Sequence, residues 1–405
     1  MNRGSGICDR LGFSLYKDLG LIITAEPLFV CESRTLFHPV VRLMRKEFSV
    51  YLDAIRFAAS VSVVVTHFTF PQFIAGIPYQ GAVGSLAVTM FFVLSGYVIS
   101  YVAQEKEHTL QQYAISRMAR IYSVAVPALA LTLAVDFYLI AHGAGDTRPM
   151  YEYRGLWKYL PVFLLFGSEI AGFHAPVFGN DAFWTLSYEV WYYVAFGVFF
   201  YLRGWPRAAF TIAAVVILGP VPLLYFPIWI LGALIYRAHQ KIEIDHGFAH
   251  AGAILTAIAL ISLWITGAYD AADSAASTAL RGWPRDAMNF PSHYMAGTLA
   301  AAHIFFVRYC RLGFLTGQYT RKTIVHLASF TFAIYLSHRP AMDLWSYLIG
   351  HDPSSAASTI FLAVLVALSC WGFGFLSERQ KDRWRSFFHW LLRKHWAVGA
   401  VKKAA

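Results

Sequence analysis

Long apolar runs alternate with short polar connections that carry most of the Lys and Arg. A helix that crosses the hydrocarbon core of a bilayer needs about 20 mostly apolar residues. Candidate runs fall at 50–70, 82–102, 121–141, 182–202, 208–224, 226–238, 250–268, 293–311, 325–348 and 356–376. The pattern predicts an all-α, polytopic integral membrane protein with about ten transmembrane helices. The fifth and sixth runs are short, with a tight turn expected around Phe226-Pro227. Trp157 to Phe166 is apolar but too short to span, which suits an interfacial helix.

Charge gives these runs an orientation. Ten spans place both ends of the chain on one side, where 22 Lys and Arg gather; the other side has 5, Arg148, Arg154, Lys158, Arg281 and Arg285. The positive-inside rule therefore expects both termini in the cytoplasm. Residues 1–47 read as a peripheral or disordered tail, 48–378 as the ten-helix membrane domain and 379–405 as a basic cytoplasmic tail. The front tail lacks the pattern of a signal peptide, and Met44, just before the first span, is a candidate translation start that would leave residues 1–43 untranslated.

Composition agrees. The 405 residues are 58% hydrophobic and only 14% charged, against about 25% charged in soluble domains. This excludes an ordinary soluble fold. The net charge of +10 would suit nucleic acid in another setting. Here the cations flank apolar runs, so lipid is the expected partner and nucleic acid is not. Cys8, Cys31, Cys310 and Cys370 form no metal-ligand or disulfide pattern.

Ionisable groups inside spans are costly and point to function. The first span carries Asp53 and Arg56, three apart and able to pair on one face. His67 is eleven residues beyond Arg56. Eleven steps return to within about 20° of one direction and rise about 16 Å. One stripe thus holds Arg56 toward the cytoplasm and His67 toward the outside. In the second span, Ser95-Gly96 suits close helix packing. Arg117 and Arg120 share a face before the third span. Two guanidinium forks suit phosphate groups, although positive-inside anchoring uses the same residues. Glu189 is expected roughly 10 Å deep in the fourth span, at the level of His67, with Trp184 and Tyr188 as an aromatic wall or an interfacial belt. The ninth span holds His338 and Arg339 beside Pro340. A broken helix around a cavity is expected there, with Asp343 as the structural partner of Arg339. The outer loops mix charge with aromatics, which suits a carbohydrate platform and equally any extracellular loop.

These residues resemble the membrane-bound acyltransferase 3 family. Leu52-Asp-Ala-Ile-Arg56 through His67 is similar to its opening helix. Phe91-Phe-Val-Leu-Ser-Gly-Tyr97 is similar to its second-helix signature, and Arg117-Met-Ala-Arg-Ile-Tyr122 to its Arg-x-x-Arg motif. Trp184-Thr-Leu-Ser-Tyr-Glu189 resembles its Trp-Ser-Leu-x-x-Glu segment, and Ser329 to Pro340 its late Tyr-x-x-His-x-Pro helix. Thr185 stands where the family often has Ser, and Arg339 separates the late His from Pro. The resemblance implies the stand-alone form, without the family's optional C-terminal esterase-like domain. It also implies transfer of an acyl group, usually acetyl, from acyl-CoA to a hydroxyl of an exported or surface carbohydrate at a bacterial inner membrane. His67 would be catalytic, as general base or acyl acceptor, with Glu189 and His338 in support. Arg56, Arg117 and Arg120 would bind acyl-CoA; Trp184 and Tyr188 would line the acceptor site. No permanently bound cofactor and no metal are expected. Two rival readings are a proton-coupled transporter with a His67–Glu189–His338 relay and a non-catalytic membrane sensor or scaffold.

Overall fold

The computed structural model describes residues 44–144, 156–175, 177–280 and 289–401. Residues 1–43 of the expected 1–47 tail lie outside that range, as do the loop residues Asp146, Arg148, Glu152, Arg154, Arg281, Trp283, Arg285 and Asp286. Apolar runs fold into helices because lipid offers no partner for an exposed backbone N–H or C=O. The described helices are α1 (Lys46–Phe68), α2 (Gly81–Glu105), α3 (Leu110–Ala141), α4 (Leu156–Leu164), α5 (Trp184–Tyr201), α6 (Gly204–Leu218) and α7 (Pro220–Lys241). They continue as α8 (His246–Ile265), α9 (Ala268–Ala279), α10 (Phe290–Val307), α11 (Gln318–Ala328), α12 (Thr331–Leu348), α13 (Ala356–Leu376) and α14 (Lys381–Val401).

Among the described residues, six helical stretches are long and apolar enough to cross a membrane: α1, α2, α3, α7, α8 and the stretch that opens at Ala356. The other four expected spans coincide with α5, α6, α10 and α12, which have 18, 15, 18 and 18 residues. Eighteen residues rise about 27 Å, just under a hydrocarbon core of about 30 Å. The protein is therefore an all-α membrane protein, with six rather than ten helices meeting the length and apolarity needed alone.

Several boundaries differ from the hydropathy pattern. α3 starts at Leu110, eleven residues before the expected span, with the Thr109 hydroxyl accepting from the Gln112 N–H at 3.2 Å. Its 32 residues make a rod of about 48 Å, so one end stands clear of the hydrocarbon. The expected turn at Phe226-Pro227 is absent, because Pro227 lies inside α7. The break falls instead at Gly219, whose φ of 75° suits glycine, followed by Pro220 at the favoured first helical position. Pro340 does not break its helix either: α12 runs through it. The break in that run falls at Ser329-Phe330, between α11 and α12.

α1 packs between α2 and α12, and α12 also meets α3 and α13. α2 and α7 cross closely. A Cβ on Gly96 would sit 1.9 Å from the Trp229 carbonyl oxygen, and one on Gly232 would sit 2.0 Å from that of Val93. The reciprocal glycines let the two backbones touch. α14 lies along α3, with Phe388 packed against Ile115 and Ala119.

Candidate active site

The stripe on α1 opens into two cavities. One, of about 420 Å³, is lined by Asp53, Arg56, Ser95, Arg120, Glu189, Tyr193, Glu378, Arg379 and Lys381. The other, of about 450 Å³, is lined by Thr66, His67, Tyr79, Glu169, Asn180, Asp181, Trp184, Tyr188, Tyr225 and His293. Val88 and Tyr335 line both, so they form a common wall. Tyr335 is held there by a 2.8 Å hydrogen bond between its hydroxyl and that of Thr185.

In the histidine cavity, His67 Nδ1 lies 2.7 Å from His338 Nε2, with the two rings stacked at 4.9 Å. His338 is fully buried, and its Nδ1 lies 3.0 Å from the Ile334 carbonyl oxygen. A carbonyl only accepts, so His338 carries its hydrogen on Nδ1. With both rings neutral, His338 Nε2 accepts from His67 Nδ1, and the lone pair of His67 is left on Nε2. A backbone carbonyl thus selects the tautomer that a general base needs. Asp181 Oδ1 stands 4.0 Å from His67 Nδ1. Its other oxygen is 3.8 Å from Arg339 Nη1, and Arg339 pairs with Asp343 at 3.2 Å, as expected. The Arg339 guanidinium also lies over the rings of Phe70 and Phe73, a favourable setting for a cation. Trp184 meets Tyr188 edge to face at 5.3 Å, and both line the cavity that holds His67.

The arginine cavity is different in character. Arg56 Nη1 pairs with Asp53 at 3.3 Å. Glu189 is here and not beside His67: it accepts from the Ser95 hydroxyl at 2.9 Å and from the Tyr193 hydroxyl. The depth expected for Glu189 is thus corrected by one cavity. It lies on the Arg56 side of the common wall, five residues along α5 from Trp184, which lines the other cavity. Arg117 lines neither cavity. Its Nη2 pairs with buried Glu107 at 2.9 Å, and its guanidinium lies over the Tyr113 ring. Only Arg120 of the two faces the cavity, together with Arg56.

Sequence patterns miss Asp181, Tyr335, Ser95, Glu378 and Lys381 as lining residues. Ser95 reads as packing, and it does accept from the Trp229 indole at 3.1 Å while also holding Glu189. Glu378 and Lys381 follow the last long apolar run, where basic residues read as topology. Glu378 accepts from the Ala333 N–H at 2.7 Å, capping the start of α12.

Comparison with known sequences decides the family. The family model described as "Acyltransferase domain", Acyl_transf_3, matches residues 49–376. The chain belongs to the acyltransferase 3 family. The chain is also similar to Acyltransferase MdmB from Streptomyces mycarofaciens, 29% identical over 196 residues, which cover 44% of this chain and 47% of MdmB. The match thus spans about half the length of that curated relative. No solved structure matches the chain.

Proposed function

We propose that this membrane acyltransferase moves an acyl group, acetyl in the simplest case, from acyl-CoA to a hydroxyl of an exported or cell-surface carbohydrate. The observation that carries the reading is the pair of cavities on one face of α1: cations line one, a tautomer-fixed imidazole lines the other, and they share a wall. CoA is polyanionic at its nucleotide end and bears the thioester on a long arm. Arg56 and Arg120 suit the phosphates. The arm directed past Val88 and Tyr335 brings the thioester to His67. The acceptor hydroxyl sits in the histidine cavity against Trp184 and Tyr188. His67 Nε2 takes the hydroxyl proton as the oxygen attacks the thioester carbonyl. The new ester C–O bond forms, the C–S bond breaks, and the CoA thiolate leaves and is protonated. Asp181 stabilises the imidazolium that forms on the way.

The Arg56 end of the bundle would face the cytoplasm, where acyl-CoA resides. On this reading both termini lie in the cytoplasm, which the charge asymmetry of the sequence supports, and the membrane is the inner one, as the family resemblance implies.

Transfer of labelled acetyl from acetyl-CoA to membrane glycan tests the reading. General-base catalysis contributes roughly 10²–10⁴-fold, so His67→Ala should reduce transfer by about that factor while acetyl-CoA still binds. Undiminished transfer by the variant would overturn the assignment of His67.

A further inference from the structure

Pro340 has no backbone N–H, so the Leu336 carbonyl four residues earlier lacks its helical partner. Leu336 is fully buried, so water cannot stand in. The carbonyl accepts instead from Asn180 Nδ2 at 2.8 Å. The same amide group donates to Thr132 Oγ1 at 3.1 Å, and Thr132 gives its own hydrogen to the Ala128 carbonyl. Both amide hydrogens of Asn180 are therefore committed, one to α12 and one to α3, which fixes the orientation of the side chain.

The residues on either side show what this anchor holds. Gly179 donates its N–H to the Asp136 carboxylate of α3 at 2.8 Å. Phe178, with φ of 51°, is buried against Phe163 at 5.1 Å. A bulky residue in the left-handed region is strained, so this turn persists because its neighbours hold it. Asp181 follows directly and brings its carboxylate to His67 and Arg339.

We infer that the Pro340 gap is a docking point: the Leu336 carbonyl it frees seats Asn180, and that seat sets Asp181 against His67. Asn180 and Pro340 are positioning residues that act through Asp181. The inference rests on the acyl-transfer reading of His67 given above.

The test is a cycle of full-length proteins: wild type, Asn180→Ala, Pro340→Ala and the double variant. Three quantities are measured. They are the thermal midpoint, the kcat and donor KM for acetyl transfer, and the rate of His67 modification by diethyl pyrocarbonate, mapped by mass spectrometry. Asn180→Ala leaves a buried carbonyl without a donor and lowers the midpoint. In the double variant the backbone N–H that Pro340→Ala restores closes the helical bond to the Leu336 carbonyl, and the midpoint recovers. Asp181 stays unseated in both proteins that lack Asn180, so kcat remains down by about tenfold or more, since small misplacements carry costs up to about 10²-fold. Donor KM holds, and His67 labelling departs from wild type in the same direction in each. A double variant that regains midpoint, kcat and wild-type labelling together would reduce the contact to a structural one and overturn the inference. So would an Asn180→Ala protein with unchanged midpoint and labelling. If the wild type itself transfers no acetyl, the reading of the function fails, and the midpoint and labelling arms still decide this inference.

Discussion

Arg117 and Arg120 stand one helical turn apart and meet different surroundings. Arg117 is locked to Glu107, whereas Arg120 faces the cavity that Arg56 also lines. Breaking a buried pair by removing one partner costs roughly 3–5 kcal/mol, because the other charge is left buried. Arg117→Ala is thus expected to lower the thermal midpoint and leave acyl-CoA affinity intact in the molecules that remain folded. Arg120→Ala should do the opposite, weakening acyl-CoA binding by about tenfold, since a hydrogen bond to a charged group contributes about 1.5–3 kcal/mol. Thermal melts beside acyl-CoA titrations check both; the reverse pattern would contradict the assignment. The sequence shows both arginines and their spacing, but not this division. Glu107 precedes α3 and turns back onto it, a tertiary contact that helix periodicity does not contain. The His67–His338 contact is hidden for the same reason, because 271 residues separate its partners. The stripe of Arg56 and His67 is legible, since it lies within one helix and follows from 3.6 residues per turn.

Helix positions are legible in the sequence and helix ends less so. Apolar content locates the part of a helix that lipid can surround, and says little about turns that continue beyond it. α3 is the clearest case: its first turns carry Arg117 and Arg120, so hydropathy starts the span late. Prolines mislead in the other direction. Pro227 and Pro340 both lie inside continuous helices, since a freed carbonyl can find another donor, as Leu336 does in Asn180. The Ser95-Gly96 pair is legible as a close approach, and the crossing of α2 and α7 bears that out at Gly96. Gly96→Ala would drive a methyl group into the Trp229 carbonyl. Overpacking of this kind costs typically about 1–3 kcal/mol, and here the obstacle is backbone. A lower thermal midpoint is the expected outcome. A midpoint equal to wild type would mean that the two helices separate without cost. The crossing also carries Ser95, which holds Glu189, so the variant should lose acyl-transfer activity as well.

At the scale of the whole molecule, the two cavities turn a polarity of sequence into a polarity of chemistry. Basic residues and apolar runs are legible along the chain, and they already separate a cationic end from a histidine end. The wall between those ends is not, because Val88 looks like an ordinary span residue and the Tyr335 of the late motif shows no partner until α2 and α12 meet at one cavity wall. Glu189 shows the same limit: its depth counted along one helix does not reveal which side of the wall it faces. In the proposed reaction the CoA nucleotide stays in the arginine cavity, the arm carries the acyl group past the wall to the histidine cavity, and only the acyl group is left on the far side. Reconstituted vesicles of known orientation, loaded with glycan acceptor, test this most directly, because acetyl-CoA is too polar to cross lipid unaided. With labelled acetyl-CoA added outside, vesicles that expose the Arg56 end should accumulate labelled ester on the enclosed acceptor, and vesicles of the opposite orientation should not. Equal labelling from either orientation, or ester formed only on acceptor that shares the donor's compartment, would contradict it.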